Sequence, residues 1–122
     1  MVNSLGIDIV EVKRIKNLME KWGDRFLHRV FTPQEIAYCK SKKTPEQSLA
    51  ARFAAKEAIL KAIGTGLSQG INWTSMEVVN DKNGSPRVKL GKRIKDKIGD
   101  KKILISMSHT KEYAIAQAIL ID

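Results

Sequence analysis

The stretch ARFAAKEAILKAIGTG, residues 51–66, decides how the rest of the chain is arranged. Its alanine and large apolar side chains recur at helical spacing and predict the longest helix of the protein. Thr44 is the predicted N-cap, Pro45 suits the first helical position, and we expect the helix to end at Ile63. Gly64 then provides a glycine stop of the kind that ends many helices.

This predicted helix has two apolar faces. Large side chains form one stripe, at Leu49, Phe53 and Leu60, and small side chains form the other, at Ala51, Ala54, Ala55, Ala58 and Ala62. Two polar stripes separate these faces, one with Arg52 and Lys56 and the other with Glu57 and Lys61. Because a helix that lies on a core needs only one solvated stripe, we interpret the alanine face as a tight packing contact or a subunit interface.

Glu57 and Lys61 lie one helical turn apart and allow two interpretations. Any Glu four residues before a Lys can form an exposed ion pair worth about 0.3–0.5 kcal/mol, and the pair taken alone favours this interpretation. A functional interpretation needs a second carboxylate and an anion close by. The glycines of GTG at residues 64–66 permit close approach of a phosphate to the backbone, although a simple helix stop also explains Gly64.

Asp8 is the candidate for the second carboxylate. Residues 5–12 alternate and predict a strand, with Leu5, Ile7 and Ile9 on one face and Asp8 on the other. Asp is depleted in strands, so Asp8 needs a partner, a turn or a metal unless its face is simply solvated. If this strand lies against the long helix, Asp8 and Glu57 can share a magnesium ion, whose usual ligands are two carboxylates, phosphate oxygens and water.

The remaining segments predict an α+β fold. Residues 12–22 form a basic amphipathic helix, and TPQE at residues 32–35 predicts a capping box that begins a helix to about Lys40. Strands are predicted at residues 75–80, 87–90, 103–108 and 113–121, with a short helix at 91–98. We therefore expect one domain, residues 1–122, in which an antiparallel sheet packs against the long central helix.

Composition and charge limit the classes of function. The 122 residues are 43% hydrophobic and 29% charged, no run approaches the ~20 apolar residues of a membrane span, and the start does not read as a signal peptide. Cys39 is the single cysteine, which excludes an intrachain disulfide or a cysteine-based zinc site. These features predict a cytoplasmic protein. The net charge of +9 favours a polyanionic partner: nucleic acid, an anionic membrane, a phosphorylated small molecule or an acidic protein.

Three segments occur in an order that is specific for one family: GIDIVEVKRI at residues 6–15, RFAAKEAILKAIGTG at 52–66 and SMSHTKEYAIA at 106–116. Over essentially its whole length the chain resembles the bacterial holo-[acyl-carrier-protein] synthases, the short class of the 4′-phosphopantetheinyl transferase superfamily. The resemblance implies that the fold is the one of this superfamily. It also implies transfer of phosphopantetheine from coenzyme A to a serine of apo acyl carrier protein, which releases adenosine 3′,5′-bisphosphate and serves fatty acid biosynthesis.

The resemblance also implies roles for the three charged residues of the candidate site. Asp8 and Glu57 match the family's magnesium ligands, and Lys61 matches its lysine at the pyrophosphate. Lys61 would stabilise charge and protonate the leaving group. Glu57 and a metal-bound water are both candidates for deprotonating the serine. We favour the water, oriented by Glu57, because coordination lowers the basicity of a carboxylate.

Further contacts are implied by the same matching positions. The expected coenzyme A contacts are Arg52, Lys61, Gly64, Thr65, Gly66, Asn83, Pro86, His109 and Thr110. The expected carrier-protein contacts are Arg14, Arg25, Phe26 and Arg29, on and after the basic helix. The family also implies a homotrimer with its sites between subunits, and we expect neither nucleic acid nor a membrane as a partner.

A small basic nucleic-acid-binding protein is the main alternative. It predicts aromatic stacking platforms or a known binding module, whereas aromatic residues make up only 6% of the chain. It also leaves Asp8 and Glu57 without a role, because carboxylates repel phosphates unless a cation lies between them. A non-catalytic trimeric interaction module is a second alternative, which magnesium-dependent turnover would exclude.

Overall fold

A long helix packed on an antiparallel sheet organises the chain, as predicted. The computed structural model describes residues 1–122. In chain order the elements are β1 (Val2–Glu11), α1 (Val12–Trp22), α2 (Asp24–Val30), α3 (Pro33–Lys40), α4 (Pro45–Ile63), a 3₁₀ turn (Trp73–Ser75), β2 (Met76–Asn80), β3 (Pro86–Leu90), α5 (Lys92–Ile98), β4 (Lys102–His109) and β5 (Tyr113–Ile121). The main sheet has the order β1-β5-β4, and β2 and β3 form a separate antiparallel pair.

Most element bounds agree with the predictions, and two differ. Strand β1 begins at Val2 rather than at residue 5, because its pairing with β5 extends to Ile121. Helix α2 was not predicted from the sequence. Gly23, with φ of 55°, breaks the basic helix and lets a second, short helix begin at Asp24. None of the helices combines the length and the apolar composition that a membrane crossing requires.

The alanine face of α4 is filled by the chain's own sheet. Its five alanines are at most 4% exposed, and α4 packs on β1 and β5. Backbone approach is so close at Gly6 that a Cβ there would lie 2.0 Å from the carbonyl oxygen of Ala58. The tight-packing interpretation of this face is therefore confirmed, and its interpretation as a subunit interface is wrong. Small side chains let the sheet cover the face completely.

The polar stripe of α4 that carries Arg52 and Lys56 is not exposed to solvent. Arg52 is 3% exposed and Lys56 is fully buried, so this polar stripe lies inside the protein. Each side chain meets oxygen atoms from distant parts of the chain, as the hydrogen bonds described below show.

The helix ends follow the predicted pattern in two cases of three. Thr32 and Glu35 form the complete capping box at the start of α3. Gly64 ends α4 with φ of 88°, and its N–H donates to the Leu60 carbonyl oxygen at 2.9 Å. Thr44 makes no side-chain cap, because its backbone, with ψ of 82°, lies outside the extended conformation of a capping residue. Pro45 alone marks the start of α4.

Candidate active site

Lys61 is paired with Asp8 and not with Glu57. Because β1 lies against α4, the ammonium of Lys61 donates to the Asp8 carboxylate at 3.2 Å and to the Ile7 carbonyl oxygen at 2.9 Å. The exposed ion pair within the helix, which the sequence pattern alone favoured, is therefore not formed. Asp8 has found the partner that a mid-strand aspartate needs, and strand and helix together bring three candidate residues to one place.

Glu57 lies partly buried beside this pair. Burial raises the pKa of Glu57, and the nearby negative charge of Asp8 raises it further, while Lys61 and Arg14 act in the opposite direction. The folded chain therefore holds two carboxylates that are only partly balanced by neighbouring cations. A site of this kind attracts an additional cation.

The two carboxylates at this place fit magnesium better than a metal ion whose ligands all come from the protein. The structure contains no group of three or more His, Cys, Asp or Glu side chains that could hold a metal ion. Magnesium is typically bound through one or two carboxylates, with substrate phosphates and water as the other ligands. Asp8 and Glu57 would supply those two carboxylates.

Glu57 and Lys61 border a cleft of about 360 Å³, which we call the carboxylate cleft. Asp8 does not line it and is connected to it through its ion pair with Lys61. The cleft is lined by Glu57, Leu60, Lys61, Gly64, Gly66, Leu67 and Trp73. Thr65 is absent from the lining, and its hydroxyl donates to the Gly66 carbonyl oxygen at 3.1 Å. Trp73 was not predicted, because it follows an irregular loop in which no periodicity indicates where a side chain points.

A second cleft, of about 390 Å³, contains another part of the predicted set, and we call it the arginine cleft. Its lining includes Arg52, Pro86 and His109, together with Tyr38, Lys42, Thr44, Ser48, Ala51, Asn80, Gly84 and Met107. Arg52 lies 4.3 Å from the Tyr38 ring and donates to the Asn80 side-chain oxygen at 2.5 Å. Its Nε is buried without a hydrogen-bond partner. An unpaired buried donor of this kind is suited to an anionic ligand.

The predicted coenzyme A contacts do not all come together in one chain. No residue lines both clefts. Asn83 and Thr110 line neither: the Asn83 side chain accepts the Ser85 N–H at 3.1 Å, and the Thr110 hydroxyl accepts the Tyr113 N–H at 3.1 Å. In the single chain, both residues therefore shape turns at the ends of strands.

All four predicted carrier-protein contacts line one groove, of about 690 Å³, which we call the basic groove. Its lining residues are Arg14, Leu18, Trp22, Arg25, Phe26, Arg29, Val30, Phe53 and Trp73. The Phe53 and Trp73 rings stack with centroids 5.2 Å apart, and the Arg14 guanidinium lies 5.5 Å from the Phe53 centroid. Because Trp73 also lines the carboxylate cleft, the groove and the cleft are neighbours.

Comparison with known proteins identifies relatives along the whole chain. The model of the 4′-phosphopantetheinyl transferase superfamily matches residues 4–118. A holo-[acyl-carrier-protein] synthase from Protochlamydia amoebophila is 48% identical over 119 residues, which cover 98% of each chain. One from Koribacter versatilis is 46% identical over 125 residues and covers all of both chains.

Solved structures agree with these relatives. A holo-[acyl-carrier-protein] synthase from Neisseria meningitidis superposes with a TM-score of 0.91 at 32% identity, with 100% of each chain covered. The enzyme from Helicobacter pylori, solved in complex with coenzyme A, gives a TM-score of 0.86 at 31% identity over 95% of this chain and 98% of that one. The resemblance and fold expected from the sequence are thus confirmed, and the chain belongs to the 4′-phosphopantetheinyl transferase superfamily, in its family of holo-[acyl-carrier-protein] synthases.

Proposed function

We propose that the protein transfers the 4′-phosphopantetheine group of coenzyme A to a serine hydroxyl of apo acyl carrier protein in a magnesium-dependent reaction. The observation that carries this proposal is that the Asp8–Lys61 pair lies beside Glu57, and that Glu57 and Lys61 line the glycine-bounded carboxylate cleft. The coenzyme A complex of the Helicobacter pylori relative supports the choice of donor substrate.

In the proposed reaction, the serine oxygen forms a bond to the phosphorus that carries pantetheine. The bond between that phosphorus and the oxygen of the adenosine 5′-phosphate breaks, and adenosine 3′,5′-bisphosphate leaves. Lys61 stabilises the charge on the leaving phosphate and can give it a proton. The serine proton passes to a water molecule that Glu57 orients. Magnesium, held by Asp8 and Glu57, would supply neutralisation of the pyrophosphate charge.

The separation of the two clefts supports a site shared between subunits of a homotrimer. In this proposal, the nucleotide end of coenzyme A lies in the arginine cleft of one protomer and its pyrophosphate in the carboxylate cleft of a neighbour. The outer face of the main sheet offers a surface for such an assembly. Its large apolar side chains are 40–63% exposed: Leu5, Ile7, Ile9, Leu104 and Ile115.

We further propose that the basic groove binds the acyl carrier protein. Arg14, Arg25 and Arg29 line it together with Phe26, and stacked aromatic rings form part of its wall. Acyl carrier proteins are small and acidic. An amphipathic acidic helix of such a protein would complement both the arginines and the aromatic side chains of the groove. A carrier bound there would have its serine close to the carboxylate cleft, because Trp73 borders both.

The proposal also places the reaction in the cytoplasm and in fatty acid biosynthesis, because its acceptor is an acyl carrier protein. The comparisons do not favour a nucleic-acid-binding protein. Binding of an acidic protein and a phosphorylated substrate is enough to account for the basic surface.

The experiment is incubation with coenzyme A, magnesium and apo acyl carrier protein, followed by intact-mass measurement of the carrier. We expect a gain of one phosphopantetheine group, which is lost with EDTA and with Asp8→Ala. In the same assay, Arg25→Glu should raise the carrier concentration needed for half-maximal rate and leave that for coenzyme A unchanged, because Arg25 lines the basic groove and not the carboxylate cleft. Lys97→Glu is the matched control, since it makes the same charge change at an exposed position on α5. A folded wild-type protein that adds no mass to the carrier would refute the proposal.

A further inference from the structure

The buried ammonium of Lys56 joins three elements that surround α4. It donates to the carbonyl oxygens of Val30 at 2.7 Å and Trp73 at 2.8 Å, and to the Glu35 carboxylate at 2.7 Å. A lysine ammonium has three donors, so every one of them is used. Val30 is the last residue of α2, Trp73 is the first of the 3₁₀ turn and Glu35 lies in the first turn of α3.

Glu35 is also fully engaged. One carboxylate oxygen accepts the Thr32 N–H at 2.8 Å as well as the Lys56 ammonium, and the other accepts the Val78 N–H at 2.7 Å. Its role in the predicted capping box is therefore only part of its function. Both side chains of the ion pair are inaccessible to solvent.

Stability alone is a weak reason for such a pair. Desolvation of two charges offsets much of their attraction, and well-packed apolar side chains of similar volume often stabilise a fold equally well or better. A satisfied buried network does, however, fix the relative positions of the groups it joins. The ion pair is therefore better explained by the groups that it holds in place.

Two of the elements joined by Lys56, α2 and the 3₁₀ turn, border the basic groove, and the turn also borders the carboxylate cleft. Lys56 directly precedes Glu57 on α4, and Trp73 lines both the groove and the cleft. Helix α2, whose last carbonyl oxygen Lys56 binds, carries Arg25 and Arg29 of the groove. One side chain thus connects the surface proposed for carrier binding to the helix of the proposed catalytic carboxylate.

We infer that Lys56 and Glu35 are positioning residues. They hold α2 and Trp73 in a fixed position relative to Glu57, so that the serine of a bound carrier protein reaches the carboxylate cleft. This inference rests on the proposed phosphopantetheine transfer. Neither residue touches substrate, since both are buried. Their contribution is to the geometry between two binding surfaces, and misplacement of about 1 Å in reacting groups can lower a rate about 10²-fold.

The test is a comparison of Lys56→Met with wild type in the transfer assay, with magnesium and both substrates varied. We expect kcat/KM for the carrier protein to fall about 10²-fold, while the affinity for coenzyme A, measured separately by calorimetry, stays within about twofold of wild type. Ile94→Ala is the matched control, because it removes a fully buried side chain from α5, which lines neither the groove nor the carboxylate cleft. It should lower the melting temperature and leave the kinetic constants unchanged below that temperature.

The outcomes separate positioning from stability. If Lys56→Met retains the wild-type kinetic constants, or if Ile94→Ala loses activity in the same proportion to its loss of melting temperature, the inference is wrong. Lys56→Gln keeps a hydrogen-bond donor and is the second variant if Lys56→Met does not fold. Failure of both to fold would make the pair a structural requirement and overturn the inference. Absence of turnover in folded wild type would instead refute the proposed function.

Discussion

At the scale of single residues, the ionised carboxylate of Glu57 destabilises the folded state. Its pKa is raised by burial and by the neighbouring charge of Asp8. Its ionised form is therefore less favourable in the folded chain than in the unfolded one, where the pKa is about 4.3. The destabilisation is fully present above the folded pKa and disappears as the pH falls below the unfolded value.

Glu57→Gln should consequently stabilise the metal-free protein while it abolishes transfer. We expect a small increase in melting temperature near neutral pH, at most about 4 °C, because solvent screens this partly exposed group. The increase should vanish below about pH 4, where the carboxyl is protonated in both states. Thermal unfolding in EDTA across this pH range measures it, with the exposed Glu20→Gln as control.

Magnesium should reverse the order of the two proteins. A cation bound by Asp8 and Glu57 stabilises the folded state in proportion to its occupancy, so added magnesium should raise the melting temperature of wild type and not of Glu57→Gln. If Glu57→Gln is less stable than wild type in EDTA near neutral pH, then the ionised carboxylate of Glu57 does not destabilise the folded chain, and this prediction is wrong.

At the scale of elements, the contact between β1 and α4 depends on one glycine. A Cβ at Gly6 would lie 2.0 Å from the Ala58 carbonyl oxygen and 2.9 Å from the Ala62 nitrogen. Both are backbone atoms of a buried helix, which cannot rotate away as a side chain could. Asp8 follows two residues later on the same face of β1, so this close packing also determines where the carboxylate lies.

Gly6→Ala should therefore damage both the fold and the site. We expect a loss of about 3 kcal/mol or more in the free energy of unfolding, measured with urea, because overpacking against backbone leaves no side-chain relaxation. Stabilisation by magnesium should weaken as well, since strand and helix must separate to accept the methyl group. Lys13→Ala, at an exposed position on α1, is the control and should change the stability little. Wild-type stability in Gly6→Ala would show that the two elements can shift apart at little cost.

The same elements show what a sequence can reveal and what it cannot. Periodicity and Gly64 were enough to predict the course and the end of α4, because these depend on local conformation. The alanines predicted a close neighbour, but small side chains do not specify whether it is the chain's own sheet or another subunit. The burial of Lys56 was not predicted, because it depends on oxygen atoms from residues 30, 35 and 73, which only the folded chain brings together.

The candidate site was predicted unevenly for a similar reason. The residue pattern singled out Asp8, Glu57 and Lys61, the resemblance implied their roles, and the structure brings them together. The resemblance also assigned nine residues to one ligand. The single chain places six of them in two clefts and two in turns, and the ninth, Thr65, lines neither cleft. A list of contacts from a family carries no information about which subunit supplies each one.

At the scale of the whole molecule, the outer face of the main sheet is the feature that the single chain leaves unexplained. Ile9 on β1 pairs with Ile115 on β5, so large apolar side chains lie side by side on an uncovered surface. A contiguous exposed apolar surface of this kind usually marks an interaction site. Covering it with copies of the same chain would bury these side chains and allow the clefts of different protomers to meet.

Ile115→Glu should separate the protomers without unfolding them. The residue is 40% exposed in the single chain, so a carboxylate there remains hydrated in a monomer, whereas burial at an interface would cost several kcal/mol. We expect light scattering to show a trimer for wild type and a monomer for the variant, with transfer activity reduced about 10²-fold. Ala37→Glu introduces the same charge at an exposed position on α3 and should remain trimeric and active.

Mixing two inactive variants tests directly whether the site is shared. Asp8→Ala damages the carboxylate cleft and Arg52→Ala damages the arginine cleft, so neither homotrimer should transfer phosphopantetheine. If each site combines the two clefts from different protomers, trimers re-formed from a mixture will contain some sites in which both are intact, and activity will return. If each site belongs to one chain, every protomer in the mixture carries a damaged site and activity stays absent. Recovered transfer, together with its loss when either variant also carries Ile115→Glu, would establish that the fold of one chain supplies two halves of two different sites.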